Sequence, residues 1–394
     1  MIFPNARYEI FVCDSRGNII APFNIVDFNL FIELSVTRTV NEIGACYIRL
    51  SGGSNAVSVL TFLARYNMLQ KDTILAIYRT AGTQKSLLLD TVWFVRTIEQ
   101  FRESTGSFVL KITAYDTNYL LASRIILNSR DAFYSEYIST VMSQLVKTNL
   151  GSGASVRQMT NFTESTDLSE YGYKISHYSS DGVAYAYANL HSTLQELSNL
   201  TLQPTNVGET LYPIYFDTVA VTTNSFIFQL FPNQRGADRR YTEGSSKGLL
   251  ISDTFGQMQN VRFVSDWQDE KTSVTALYKK DGVSNAVTVQ DPRRIANSPY
   301  SVREMVFSSP NDKLTVNANS VLRDPSVYPQ FSVYATLQDI PSFLFGVDWN
   351  YGDYITINAF GTQVNTRIQG ITITVTNKAE QIDVNMQVSE SISF

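Results

Sequence analysis

The chain is poor in the residues that carry most protein chemistry. Only two of its 394 residues are histidine, His177 and His191, and only two are cysteine, Cys13 and Cys46. Neither histidine has cysteine flanks or a His-Glu-x-x-His pattern, so the sequence does not support a zinc site. The two cysteines lie far apart and are expected to be reduced core thiols rather than a disulfide. A Gly-x-Ser-x-Gly elbow, a Walker loop and a dinucleotide fingerprint are all missing; Gly151-Ser152-Gly153 is too short to count. Carboxylate pairs such as Asp266 and Asp269 read as solvated turns. The expectation is therefore a protein that is not an enzyme, with no catalytic residue, cofactor or metal.

Charge is also scarce. Only 17% of residues are Asp, Glu, Lys or Arg, and the formal net charge is −5. The basic doublets Arg239-Arg240, Lys279-Lys280 and Arg293-Arg294 are separated by strands and mixed with acids, unlike a nucleic-acid groove. No apolar run reaches the eighteen or so residues of a membrane helix, so no stable membrane insertion is expected. The first nine residues hold no signal-like run, and synthesis in the cytoplasm without a leader is expected.

Aromatic and β-branched residues are abundant instead: 22 Tyr and 23 Phe in a chain that is 44% hydrophobic. This composition suits β-strands. Alternating segments at residues 8–12, 30–37, 45–50, 74–78, 92–100 and 108–115 predict an all-β unit, with the last two forming a hairpin around Ser104-Thr105-Gly106. A short helix is expected at 57–66. Tyr134, Ile138, Val141, Met142 and Leu145 share one helical face, with Gly151 just past its end. Residues 151–189 show no period. A second helix is read from Leu194, Leu197 and Leu200, with a capping box at Ser192 and Thr193. Strands resume at 212–216 and 226–231. Residues 260–267 and 272–278 read as a long strand pair, followed by a strand at 302–307. A weak helix is read at 333–340. The end of the chain is β again, at 354–357, 366–368, 371–375 and 382–386.

Four local patterns go beyond secondary structure. Arg38, Asn41, Glu42 and Gly44 form Arg-x-x-Asn-Glu-x-Gly. Asp116-Thr117-Asn118-Tyr119-Leu120-Leu121 with Arg124 follows the first β unit. Gly236-Ala237-Asp238-Arg239 follows the strand at 226–231, and Arg303-Glu304 opens a later one. Tyr351-Gly352-Asp353 precedes the strand at 354–357. Together and in this order they resemble the tail-hub, or baseplate-hub, proteins of long-tailed bacteriophages, in the siphovirus branch.

The resemblance implies a mainly β (α+β) chain with two related β-barrel domains carrying α/β insertions. Residues 1–122 would be the first barrel and 123–210 an insertion with two helices. Residues 211–235 plus 310–394 would be the second barrel, and 236–309 a β-rich insertion. It implies a structural virion protein of the phage tail tip that joins a hexameric tube to a trimeric tip and lines the DNA channel. The implied partners are two further copies in a homotrimer, a distal tail protein or tail-tube ring, a tape-measure protein, and tip or receptor-binding proteins. DNA would be present only in transit. Gly236, Asp238, Arg239, Arg303, Glu304, Gly352 and Asp353 would be structural: Gly236 for a tight bend, Asp238 for an Asx turn, and Gly352 for a positive φ. The alternative is a receptor- or glycan-binding tail protein, with the Tyr-rich residues 171–187 as its face.

Overall fold

The computed structural model describes residues 6–20, 31–53, 72–127, 133–165, 168, 170–178, 184–202, 210–242, 248–280, 282–296, 298–309, 314–322, 324–341 and 343–388. The helix expected at 57–66 lies outside them. The first block holds β1 (Ala6–Cys13), β2 (Phe31–Thr39), β3 (Ala45–Gly53), β4 (Ile74–Ala81), β5 (Gln84–Leu87), β6 (Trp93–Arg102) and β7 (Phe108–Tyr115). A helical region follows, with α1 (Tyr119–Ala122), α2 (Ile138–Asn149), β8 (Phe162–Glu164), α3 (Ile175–Tyr178) and α4 (Leu190–Leu202). Then come β9 (Ile214–Thr222), β10 (Ser225–Pro232), β11 (Leu250–Ser252), β12 (Met258–Asp266), β13 (Ser273–Lys280) and β14 (Val283–Gln290). The chain continues through α5 (Pro292–Ile295), β15 (Glu304–Ser308), α6 (Leu314–Leu322) and β16 (Gln330–Leu337). It ends with β17 (Tyr354–Ala359), β18 (Thr362–Thr376) and β19 (Glu380–Val388).

The mainly β character read from the sequence is observed. The first and last blocks form one sheet, ordered β1-β4-β6-β7-β3-β2-β18-β19-β16-β12, with β5, β17 and β11 attached to the side. The seam is the antiparallel pair β2–β18, from Gly370 opposite Thr39 to Thr376 opposite Glu33. Among the described residues no pairing closes either block into a barrel. The two blocks share one apolar core: Tyr8, Val36 and Trp93 from the first lie in the same cluster as Trp349, Ile373 and Val384 from the last. Alternation explains this. The seam strands turn Leu34, Val36, Ile373 and Val375 to one face and Ser35, Thr37, Thr372 and Thr374 to the other.

Two smaller sheets flank this body. The first, β8-β10-β9, packs under α2 and α4 through Val141, Leu145, Leu194, Phe216 and Phe228. The second, β14-β13-β15, packs under α6 through Val274, Ala276, Leu314 and Ala318.

Several expectations are corrected. The weak helix at 333–340 is mostly strand β16, because Val333, Ala335 and Leu337 point inward while Ser332 and Tyr334 are less buried, a period of two. Strands β12 and β13, read as a pair, separate: β12 joins β16 in the large sheet, while β13 pairs with β14 and β15. Alternation identifies a strand without naming its partner. Strands β9 and β10, assigned to the second barrel, pair with β8 in their own sheet. The segments at 366–368 and 371–375 are one strand, β18, with a register shift between Ile368 and Gly370. Helix α4 begins at Leu190, and the Asn189 side chain accepts from the Ser192 amide at 3.2 Å, so Asn189 caps it rather than Ser192 or Thr193. Strand β14 and helix α6 were not anticipated.

Candidate functional site

Apart from Arg303-Glu304, the sequence motifs converge on one buried junction between the sheets. Arg38 sits on the inward face of β2, in step with Leu34 and Val36, and is 1% exposed. Its Nε donates to Asp116 Oδ2 at 2.8 Å, one Nη to the Leu89 carbonyl at 2.6 Å, and the other to Asp217 Oδ1 at 2.5 Å. Asp217 lies on β9. Its second oxygen accepts from Arg235 Nε at 2.6 Å. Arg235 also donates to the Tyr351 carbonyl at 3.2 Å and meets the Asp90 carboxylate at 3.3 Å. The Tyr351 ring lies near both guanidiniums, with centroids 5.4 Å from Arg38 and 4.4 Å from Arg235. Two buried cations thus face two buried anions, Asp116 and Asp217, with Asp90 at the rim.

Burial pushes the Asp116 carboxyl up to about 6, although Arg38 opposes the shift. Arg38 loses by burial but ends above its ordinary value through Asp217 and Asp116. The Leu89 carbonyl is presented by a turn in which Leu89 and Asp90 both hold positive φ, 60° and 53°. Such conformations cost on the order of 1–3 kcal/mol each, so the surrounding contacts must hold them.

The remaining residues of the first motif complete the joint. The Asn41 side chain accepts from the Phe216 amide and donates to Ser198 Oγ, both at 2.8 Å. Asn118 donates to the Glu42 carbonyl at 2.9 Å and accepts from the Thr218 amide at 2.9 Å. These bonds tie the β8-β10-β9 sheet and α4 to the first block. A Cβ on Gly44 would stand 2.8 Å from both Arg38 Cγ and Asp116 Oδ2, so only glycine fits between the partners.

Gly236, Asp238, Arg239, Gly352 and Asp353 come together beside this network. Asp353 is 1% exposed; its oxygens accept from the Ala237 amide at 2.7 Å, the Asn350 amide at 2.8 Å and Arg239 Nε at 2.9 Å. Its carboxyl is raised by burial, against the pull of those donors. The Gly236 amide donates to the Gly352 carbonyl at 2.9 Å, and a Gly236 Cβ would lie 2.5 Å from the Asp353 nitrogen. Close approach, not left-handed geometry, therefore requires glycine at 236. Gly352 has φ +87°. Asp238 is exposed and accepts from the Arg240 amide at 3.2 Å and its guanidinium at 2.7 Å, an Asx-type turn. Arg303 and Glu304 lie elsewhere, at the start of β15. Arg303 pairs with Glu270, its carbonyl accepts from the Thr272 amide at 2.9 Å, and Glu304 is exposed.

Sequence reasoning missed Asp217 and a second buried cation, Arg79 on β4. Arg79 is 3% exposed and donates to Glu380 at 2.9 Å, the Phe345 carbonyl at 2.7 Å and Asp339, linking the first block to the last. A usable signal existed: Arg38 and Arg79 both sit at inward positions of strands whose neighbours two residues away are apolar.

The solvent face of the seam is the other feature. Thr37 and Thr372 share a hydrogen bond of 3.0 Å across β2 and β18. Thr374, Gln381, Asn385 and Ser332 continue the face through β18, β19 and β16. It is polar with charges of both signs: Asp383 stands between Gln381 and Asn385, Glu33 lies opposite Arg49, Arg262 lies opposite Tyr334, and Lys111 and Arg49 at its β7–β3 end are paired with Glu99 and Glu103.

In the Tyr-rich segment Tyr187 is exposed, Tyr185 is buried, and the other described rings pack on one another. Tyr173 stacks on His177 at 4.0 Å, and Tyr171 and Tyr173 both meet Tyr212 edge-on. Cys13 and Cys46 are buried and unbonded to each other, and burial raises the Cys13 thiol to about 11.

No protein-family model matches this chain, and no curated protein matches it significantly. Solved structures do. The fold is that of prophage tail proteins, in agreement with the resemblance read from the sequence motifs. The chain is similar to the 43 kDa tail protein of prophage MuSo2 from Shewanella oneidensis, with a TM-score of 0.57 at 11% identity over 97% of this chain and 99% of that one. It is also similar to a tail protein from Neisseria meningitidis MC58, with a TM-score of 0.52 at 9% identity and 96% of each chain covered. A chain of a PdpA–VgrG complex matches at a TM-score of 0.52 and 9% identity, over 99% of this chain and 65% of that one. At such identities the likeness establishes the fold.

Proposed function

We propose that this protein is a structural component of a phage tail, a hub that joins the tail tube to the tip and encircles the path of the DNA. The observation that carries this reading is the single sheet that fuses two β blocks side by side and turns one polar face, its charges mixed in sign, to solvent. Three copies would present six such blocks to the six subunits of a tube ring, by heterologous contacts in closed cyclic symmetry. The Thr, Ser, Asn and Gln face would form the bore. A wall of lysine and arginine would neutralise phosphates, release counterions and hold the DNA; a polar wall that carries acids such as Asp383 and pairs Lys111 and Arg49 with glutamates lets it pass. The buried Arg38 and Arg79 clusters lock the two blocks together and support a rigid ring. Partners on this reading are a tube or distal tail ring above, a tape-measure protein in the bore, and tip or receptor-binding proteins below. The place of action is the virion tail.

The function is mechanical, with no chemistry assigned to any residue. Cryo-EM of isolated tails tests it. Three copies around the axis with Ser35, Thr37, Thr372 and Thr374 facing the lumen are expected. One, five or six copies, or a bore lined by unpaired cations, would overturn the reading.

A further inference from the structure

Strand β14 is an undefended sheet edge. It runs antiparallel to β13 for eight residues without a register shift, from Val283 opposite Lys280 to Gln290 opposite Ser273. Its other side has no partner strand among the described residues. The ladder geometry identifies which backbone groups are free. The Leu277 carbonyl accepts from the Ser309 amide at 2.6 Å, so odd residues of β13 face β15. The Thr272 carbonyl accepts from the Asp291 amide at 2.9 Å, so even residues face β14, and odd residues of β14 face back. In a strand the N–H and C=O of one residue point to the same side. Ser284, Ala286, Thr288 and Gln290 therefore turn both groups outward, and all are exposed.

Proteins usually defend such edges with charge, proline, a bulge or short length. Three other edges follow that rule, and the edge strand β9 is covered by side-chain bonds from Asn41 and Asn118. Strand β1 carries Arg7 and Glu9. Strand β12 has a register shift between Gln259 and Arg262 and carries Arg262 and Asp266. Strand β15 is five residues long and begins with Glu304. Strand β14, Val-Ser-Asn-Ala-Val-Thr-Val-Gln, has none of these devices.

We propose that β14 receives an extended segment of a different tail protein, which adds as a fourth strand of the β14-β13-β15 sheet. This rests on the threefold tail reading above. A second copy does not fit that reading. Pairing β14 with β14 needs a twofold axis, which a threefold ring lacks. Pairing β14 with β15 of the next copy around a threefold would wrap nine strands, close to the size whose interior side chains fill, leaving no bore. The incoming strand is held mainly by backbone bonds, with side chains read alternately. On the α6 side it lies next to Val287 and Val289, so apolar β-branched residues fit there. On the other side it meets Ala286 and Thr288, so small polar residues fit.

Residue-resolved hydrogen exchange on the purified protein and on intact tails tests this. The amides of Ser284, Ala286, Thr288 and Gln290 are expected to exchange freely in the isolated protein and at least about tenfold more slowly in tails. Those of Asn285, Val287 and Val289 should be protected in both. Equal exchange of the four outward amides in the two samples overturns the proposal. Absence of the chain from purified tails by mass spectrometry overturns the tail reading instead. Ala286→Pro removes one outward N–H at an edge position that tolerates proline. The variant is expected to melt within about 2 °C of wild type and to lose the protection in tails. If it fails to fold, Thr288→Lys, which leaves the backbone intact, is expected to lose protection in the same way. Dimerisation of the isolated protein that Ala286→Pro abolishes would identify a second copy as the partner and overturn the proposal.

Discussion

Replacing Asp217 by asparagine is the most informative single perturbation of this protein. The change preserves shape and removes one charge. Asp217 is 1% exposed and accepts from Arg38 through one oxygen and from Arg235 through the other. Asparagine offers one acceptor oxygen and one N–H₂, so one guanidinium must face a donor. Arg235 can turn toward Asp90, whose side chain is 41% exposed. Arg38, 1% exposed, keeps only Asp116 and the Leu89 carbonyl. The buried set passes from two cations and two anions to two cations and one anion. Removing one partner of a buried pair typically costs about 3–5 kcal/mol, mostly because the survivor stays buried and unpaired. At roughly 2–4 °C per kcal/mol for domains of this order, the melting temperature should fall by about 6–20 °C. Circular dichroism melts and urea titrations measure it. The double variant Asp217→Asn with Arg235→Met restores one cation to one anion, and it should melt above Asp217→Asn alone. A single variant within about 2 °C of wild type would refute the reasoning. So would a double variant whose loss equals the sum of the two single losses, because that shows no coupling between the groups.

Three further outcomes are expected. Gly352→Ala forces an L side chain into φ +87° with its Cβ 2.7 Å from Arg235 Cβ, and should cost at least about 1–3 kcal/mol by thermal melt; unchanged melting would remove the close-packing account of the 236–353 joint. His191 is 4% exposed, and burial lowers its pKa to about 4, so it adds stability that is present above pH 6.5 and lost as pH falls through 4. His191→Leu should therefore remove on the order of 3 kcal/mol of the wild-type loss between pH 7 and 4; Asp116, raised to about 6, works in the opposite sense, its contribution being present below pH 3.8 and lost as pH rises through 6, and it is common to both proteins. Thr372→Lys with Thr374→Lys places cations on the seam face and should slow DNA release from phage in vitro, with recovery at high salt; an unchanged ejection rate would take this face out of the bore.

Much of the local structure was legible. Strands β1, β4, β6, β7, β10, β17 and β19 follow from alternation, and α2 from the spacing of Ile138, Val141, Met142 and Leu145. Gly352 stands where a positive φ was expected. Other elements were hidden for specific reasons. The polar strand β14 carries Ser, Asn and Thr where a buried strand would carry apolar residues. Strand β16 has Ala335 and Thr336 at buried positions, which blurs its period.

The sequence by itself determined that this is a β-rich chain without a recognisable nucleophile, metal set or phosphate loop, because those properties depend on composition and on spacings of a few residues. Its four short motifs also pointed to the fold. Only the tertiary structure decided what the motifs do. Arg38 meets Asp116 across 78 positions and Asp217 across 179, and Gly236 meets Asp353 across more than a hundred. Period-two alternation says which side chains turn inward, but it is the same for any partner strand. The choice of partner is made by the joint packing of sheets and by the need of each buried charge for an opposite one, and both arise only when distant segments are brought together.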